Sequence, residues 1–306
     1  MKYVLSMDGG GIRGVIPALV LAKIEELMQK PIADLFDMVI GTSTGGILAL
    51  GLMLPDESGK VKFSANDLVE LYKSRGSEIF SKSAWKEMAS LGGLRDEKYG
   101  HTGLERLLNE YFGETTFDRC LNKTIITSYD IENRVPCFFK SWKDEFSNVK
   151  MKEVARATSA APTFFEPTQI NIAGKTKSLI DGGICINNPS VSGYAEALRC
   201  FPGEEIKVIS LGTGELTRKI AYDDAKDWGK LEWMLPALSC IFDGVSDTAD
   251  YQLRHLLEDN FIRLQTKLEN ASDDMDDVSE TNIKALCKEA EELIEEKMDR
   301  ISAIFS

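Results

Sequence analysis

With 306 residues, 43% of them hydrophobic and 28% charged, the chain has the make-up of a globular protein large enough to bury a sizeable core. A formal net charge of −13 argues against nucleic acid as a partner, because phosphate contacts need clustered Lys and Arg. It argues equally against broad docking on anionic lipid, so any membrane contact has to rest on apolar insertion or a local basic patch.

No apolar run reaches the roughly 20 uncharged residues of a membrane span. The nearest, VIPALVLAKIEELM, is interrupted by Lys23, Glu25 and Glu26. The six cysteines are scattered without a C-x-x-C pair, which fits reduced thiols and a cytoplasmic location. Lys2 leads straight into a short strand and glycines, a pattern unlike a signal peptide.

The first strand is expected at Tyr3–Met7, followed by MDGGGIRG (7–14) and a helix over Val15–Met28. Gly9, Gly11 and Gly14 spell G-x-G-x-x-G between strand and helix, so dinucleotide binding is one reading of this loop. A second strand, Phe36–Ile40, runs into IGTSTGG (40–46) and a helix over Ile47–Met53. Gly41-Thr42-Ser43-Thr44-Gly45 fits G-x-S-x-G, the nucleophile elbow. A tight strand-to-helix turn pushes the serine hydroxyl outward, and the flanking positions have no space for side chains.

Helices follow at Ala65–Ser74 and Leu104–Tyr111. The stretch between them, residues 77–103, has weak periodicity and fits either a mobile cap or an irregular surface connection. Strands are expected at Thr124–Tyr129 and Cys137–Lys140. In ATSAAPTFFEP (157–167), Ser159, Ala160 and Ala161 before Pro162 fit a close backbone approach or a helix end. SLIDGGICINNP (178–189) sets Asp181 after an apolar run and before Gly182 and Gly183. Locally that reads equally as a carboxylate with open space beside it or as an Asp-Gly turn.

A helix at Ser192–Cys200 and a strand at Ile206–Leu211 come next, the strand ending in a structural LGTG turn. ADYQLRHLLEDNFIRL reads as one amphipathic helix carrying His255. The acidic stretch Ala271–Asp277 reads as a helix start; a calcium loop would need a further oxygen ligand and a glycine where Val278 and Ser279 stand. A final helix is expected from about Glu280, within 278–306. Strands alternating with helices predict an α/β fold, a three-layer α/β/α arrangement with a mainly parallel central sheet in one domain over residues 1–306.

A serine hydroxyl needs a base within hydrogen-bond reach. The order Ser43, Asp181, His255 matches an ordinary hydrolase triad, but His255 falls inside a helical pattern and His101 inside the glycine-spaced connection. A carboxylate is the other available base.

DGGGIRG (8–14), GTSTGG (41–46), ATSAAPTFFEP and DGG (181–183), in that order, resemble the patatin-like phospholipase family, lipid acyl hydrolases with a serine–aspartate dyad. KYGHTGLERLLNEYFGE (98–114), TIITSYDIENRVPCFFKS (124–141) and MDDVSETNIKALCKEAEELIEE (275–296) carry the likeness over nearly the whole chain. The resemblance implies a patatin-like variant of the α/β-hydrolase architecture, with Ser43 as nucleophile and Asp181 as base. It implies an oxyanion hole of the Gly9, Gly10 and Gly11 amides with Arg13 holding the loop, and supporting roles for Gly14, Gly41, Gly45, Gly182 and Gly183.

The implied reaction is cleavage of the acyl ester of phospholipids, lysophospholipids or related glycerolipids through an acyl-serine, with no metal or cofactor and with transient contact at a membrane surface. An acyltransferase using the same dyad is an alternative, as is a non-catalytic nucleotide-binding protein. Against the nucleotide reading, Asp8 would sit beside a bound pyrophosphate, and the second strand ends at Gly41 where a ribose-binding acidic residue would be expected. Some bacterial members of the family respond to cyclic nucleotides; no residue here bears on such an activator or on oligomeric state.

Overall fold

The computed structural model describes residues 1–80 and 103–305. Among them, eight strands build one sheet: β1 (Lys2–Met7), β2 (Met38–Thr42), β3 (Lys123–Asp130), β4 (Val135–Lys140), β5 (Thr168–Ile172), β6 (Lys175–Asp181), β7 (Ile206–Leu211) and β8 (Phe261–Leu264). The described helices are α1 (Val15–Met28), α2 (Ile32–Leu35), α3 (Thr44–Leu52), α4 (Ala65–Phe80), α5 (Gly103–Phe112) and α6 (Met151–Thr158). They continue with α7 (Gly183–Ile186), α8 (Ser190–Cys200), α9 (Tyr222–Ala225), α10 (Lys230–Leu257), α11 (Glu280–Glu296) and α12 (Met298–Ser302).

β8, β7, β1, β2 and β3 are parallel neighbours, and β4, β6 and β5 extend the sheet antiparallel. The parallel strands are buried on both faces, so their residues are apolar in near-continuous runs. Val4, Met38, Ile40 and Val208 pack on one side with Ala197 of α8 and Leu253 of α10. Leu5, Met7 and Val39 pack on the other with α1, α3 and α4. Each large side chain withdrawn from water there contributes roughly 1.5–3 kcal/mol. The helix α3 is buried on every side, which its unbroken TGGILALGL sequence allows. On the outside of that layer, α1 packs against α4 and α11.

The pairing around β3 positions the site. Along one edge, Lys123–Thr127 pair with Met38–Thr42 of β2, and Ser128–Asp130 pair with Leu179–Asp181 of β6. β4 overlaps both registers, pairing Ile125–Asp130, and therefore takes the other edge. β6 runs opposite to β2, so the two strands end head to head: Thr42 opposite Thr127, Asp181 opposite Ser128.

Several elements differ from the pattern-based expectation. β2 begins at Met38 because the Phe36 N–H turns back to the Ile32 carbonyl and closes α2. The helix carrying His255 stops at Leu257, where Glu258 takes a left-handed φ of 47°, and Phe261–Leu264 become the edge strand β8 paired with β7. The acidic residues 271–277 precede the last long helix; Ser279 caps it, accepting from the Asn282 N–H. Residues 81–102, which hold His101 and most of the stretch that fits either a cap or a surface connection, lie outside the described residues.

Candidate active site

Ser43 sits between the end of β2 and the first residue of α3, with φ 54° and ψ −122°. This is a strained conformation for a residue with a side chain. Local packing enforces it: a Cβ on Gly41 would lie 2.2 Å from the Gly45 carbonyl oxygen, and one on Gly45 would lie 2.3 Å from the Met7 carbonyl oxygen. The Ser43 N–H donates to Thr158 Oγ1 at 2.8 Å, tying the elbow to the end of α6.

Asp181 is the last residue of β6 and is buried at 2% exposure. The Ser43 hydroxyl lowers the pKa of its carboxyl within the pocket both residues line, and its Oδ1 accepts the Gly183 N–H at 2.7 Å. Burial pushes the carboxyl up to about 7, well above its ordinary 3.8, against the opposing pull of those two donors. The backbone behind it is closely packed too, since a Cβ on Gly182 would lie 2.2 Å from Thr127 Oγ1.

Ser43 and Asp181 line one pocket together with Gly10, Gly11, Ser159, Ala161 and Asn187. Its apolar wall comes from Ile79, Phe80, Phe164, Phe165, Phe242 and Met275, with Asp276 beside Met275.

The glycine loop leaves β1 and closes a short 3-10 turn over Gly11–Gly14. The Gly9 N–H donates to the Asn187 carbonyl at 3.1 Å, and the Gly9 carbonyl accepts from Thr213 Oγ1 at 2.7 Å. The expected trio of amides therefore narrows to Gly10 and Gly11, which face the pocket and whose N–H groups have no acceptor among the described residues. Arg13 Nε donates to the Gly10 carbonyl at 3.2 Å, fixing that peptide from behind. Burial draws Arg13 down to about 10, which leaves it cationic at neutral pH. Gly14 clears space for the hydrogen-bonded pair Thr44 and Tyr72.

Beneath the loop, Asp8 Oδ2 pairs with Arg263 Nη2 at 2.5 Å, both side chains buried, and Arg263 Nη1 donates to Ser210 Oγ at 2.8 Å. Asp8 is thus engaged by Arg263 and is not among the residues lining the pocket. Burial raises its carboxyl, with Arg263 opposing the rise.

His255 is exposed on α10, its Nδ1 2.8 Å from the Tyr251 carbonyl, and takes no part in lining the pocket. The histidine of the triad order is therefore not assembled with Ser43. No three His, Cys, Asp or Glu side chains among the described residues converge as metal ligands.

Pattern reasoning passed over Thr158, Phe242 and the Met275–Asp276 wall. Thr158, Phe164 and Phe165 lie inside the ATSAAPTFFEP motif, and Asn187 lies inside SLIDGGICINNP. Phe242 and Met275 carry no local signal, because long-range packing brings them in. Asn187 ties the glycine loop and α10 together: its carbonyl takes the Gly9 N–H, and its Nδ2 donates to Ser246 Oγ of α10 at 3.0 Å.

The model of a family described as patatin-like phospholipase matches residues 5–191. Patatin-like protein 2 of Oryza sativa subsp. indica is 32% identical over 346 residues, covering 98% of this chain and 85% of its own. Patatin-like protein 4 of Arabidopsis thaliana is 31% identical over 339 residues, covering 98% and 84%. Patatin group J-1 of Solanum tuberosum is 31% identical over 340 residues, covering 99% and 86%. Among solved structures, human GIVD cytosolic phospholipase A2 aligns with 99% of this chain and 59% of its own, at 11% identity and a TM-score of 0.48. The chain belongs to the patatin-like phospholipase family.

Proposed function

We propose that the protein is a metal-independent lipid acyl hydrolase that cleaves the acyl ester of phospholipids, lysophospholipids or related glycerolipids through an acyl-Ser43 intermediate. The observation that carries this reading is that Ser43 and the buried Asp181 line one aromatic-walled pocket, the hydroxyl acting on the carboxyl's pKa, beside the uncommitted Gly10 and Gly11 amides. The family description supports a lipid ester as substrate.

In this scheme Asp181 accepts the hydroxyl proton as Ser43 Oγ bonds to the acyl carbonyl carbon. The Gly10 and Gly11 N–H groups stabilise the developing oxyanion, each such donor being worth on the order of 3–4 kcal/mol. Collapse breaks the ester C–O bond, and the alcohol leaves with the proton held by Asp181. Water then attacks the acyl-serine, giving its proton to Asp181, and the released serine takes it back. An aspartate at 3.8 is a weak base; raised to about 7, it is both stronger and still substantially ionised at neutral pH. Base and oxyanion donors all come from the chain, so activity is expected to survive a chelator.

Labelling with a fluorophosphonate probe, followed by peptide mapping, tests the assignment. The label is expected on Ser43, with the labelling rate of Asp181→Asn reduced on the order of 100-fold or more. A probe that leaves Ser43 unmodified, or that labels Asp181→Asn at the wild-type rate, overturns it. Product analysis with an added acceptor alcohol separates hydrolysis from acyl transfer. We place the protein in the cytoplasm with transient contact at membranes. All six cysteines are free, and no described helix is long and apolar enough to cross a membrane.

A further inference from the structure

The first half of α10 turns an apolar face to water. Leu231, Met234, Leu235, Leu238, Ile241 and Phe242 recur at the i, i+3, i+4, i+7 spacing by which a helix packs onto a core. Phe242 does pack, at 8% exposure, and it lines the pocket. Towards the helix start the same face emerges: Ile241 is 40% exposed, Leu235 54%, Met234 50% and Leu231 82%. The apolar track thus runs from solvent into the pocket wall over about 16 Å, at a rise of 1.5 Å per residue.

The segment before the helix shares this character. Ile220 and Tyr222 are exposed, and Trp228 meets Trp233 edge to face with ring centroids 5.1 Å apart. Both ends of the segment are joined to the pocket. Phe242 is one end; at the other, the Thr217 and Arg218 N–H groups donate to the Asp273 carboxylate at 3.1 and 2.8 Å, two residues before Met275.

Charge rules out anionic lipid as the occupant. Between residues 220 and 241, the cations Lys226 and Lys230 are outnumbered by Asp223, Asp224, Asp227 and Glu232, so the surface offers no basic patch. Apolar side chains with two tryptophans and a tyrosine are the make-up of a helix lying in a lipid interface.

We infer that residues 220–241 are the surface by which the protein inserts into a zwitterionic bilayer, the exposed face of α10 leading an acyl chain towards the pocket. The inference rests on the acyl-lipid reading of the site. A second copy seated on the same face would cover the track that opens into the pocket, which favours lipid as the occupant.

The test uses the full chain with phosphatidylcholine vesicles, comparing wild type with Leu231→Ser/Trp233→Ser/Leu235→Ser by co-sedimentation. Wild type is expected to bind with little dependence on salt, and the triple variant to bind about tenfold more weakly or worse. Hydrolysis of a short, water-soluble ester stays at the wild-type rate, while hydrolysis of vesicle phospholipid falls with binding. Unchanged vesicle binding in the triple variant overturns the inference. So does a wild-type dimer, measured by light scattering, that the triple variant converts to monomer without any vesicle binding in either. The two readings fail separately. Vesicle binding lost in the triple variant with Ser43 inert to fluorophosphonate keeps the docking surface and removes the hydrolase. Ser43 labelled, with vesicle binding insensitive to the variant, does the reverse.

Discussion

Replacing Asp181 by asparagine removes a folding penalty together with the proposed base. The carboxyl ordinarily titrates at 3.8, and burial moves it to about 7 in the folded chain. Between those values the unfolded chain has released the proton and the folded chain still holds it. Wild-type stability therefore falls by about 1.4 kcal/mol for each pH unit through this window, an upper bound of about 4 kcal/mol in all. Stability from this group is fully present below pH 3.8 and fully lost above about 7. Asparagine stays neutral throughout, and its Oδ1 still accepts the Gly183 N–H. The two proteins should thus be equally stable near pH 4, and Asp181→Asn should exceed wild type by up to about 4 kcal/mol at pH 8. Urea denaturation followed by circular dichroism at both pH values measures the change in this difference, in which all other titrating groups cancel. Over the same window kcat/KM of wild type should fall about tenfold per pH unit below 7, since the scheme needs the ionised carboxylate. A stability difference that does not grow from pH 4 to pH 8 would refute the reasoning.

His255→Ala should leave both the activity and the acidic limb near pH 7 intact; a limb abolished in that variant and retained in Asp181→Asn would move the base role to the imidazole. Gly10→Ala places a Cβ 2.2 Å from Thr213 Oγ1 and 2.6 Å from Thr213 Cβ, displacing one of the two free amides. Its kcat should drop on the order of 10²–10³-fold, with partial recovery when Thr213→Gly is added; a change in KM with kcat untouched would count against an oxyanion role. Arg263→Met leaves the Asp8 carboxylate buried and unpaired and should lower stability by roughly 3–5 kcal/mol. Adding Asp8→Leu should restore most of that loss, and strictly additive losses in urea denaturation would show that the pair is not coupled.

The legible parts of the molecule are those whose cause is local. The Ser43 elbow is visible because part of its constraint is local: the Gly45 carbonyl leaves no space for a Cβ on Gly41, while the Met7 carbonyl of β1 excludes one from Gly45. The parallel strands β1, β2, β3 and β7 are visible because burial on both faces demands continuous apolar runs. β6 is a different case. Lys175, Thr176 and Lys177 are polar, and the strand exists because it pairs with β3 and β5. β8 hides in the same way, following a helix that ends at Glu258 with no glycine to mark the stop. The engagement of the Gly9 amide is equally invisible, since its acceptor is Asn187, far along the chain.

These non-local events decide the chemistry. A parallel strand in place of β6 would bring its N-terminal end, not Asp181, to Ser128 and Thr127. The antiparallel return sets a carboxylate against the serine at the meeting point of two strand ends, in a site from which solvent is largely withdrawn. That position supplies the burial that raises Asp181, so in the proposed scheme topology provides the basicity that a histidine provides in an ordinary triad.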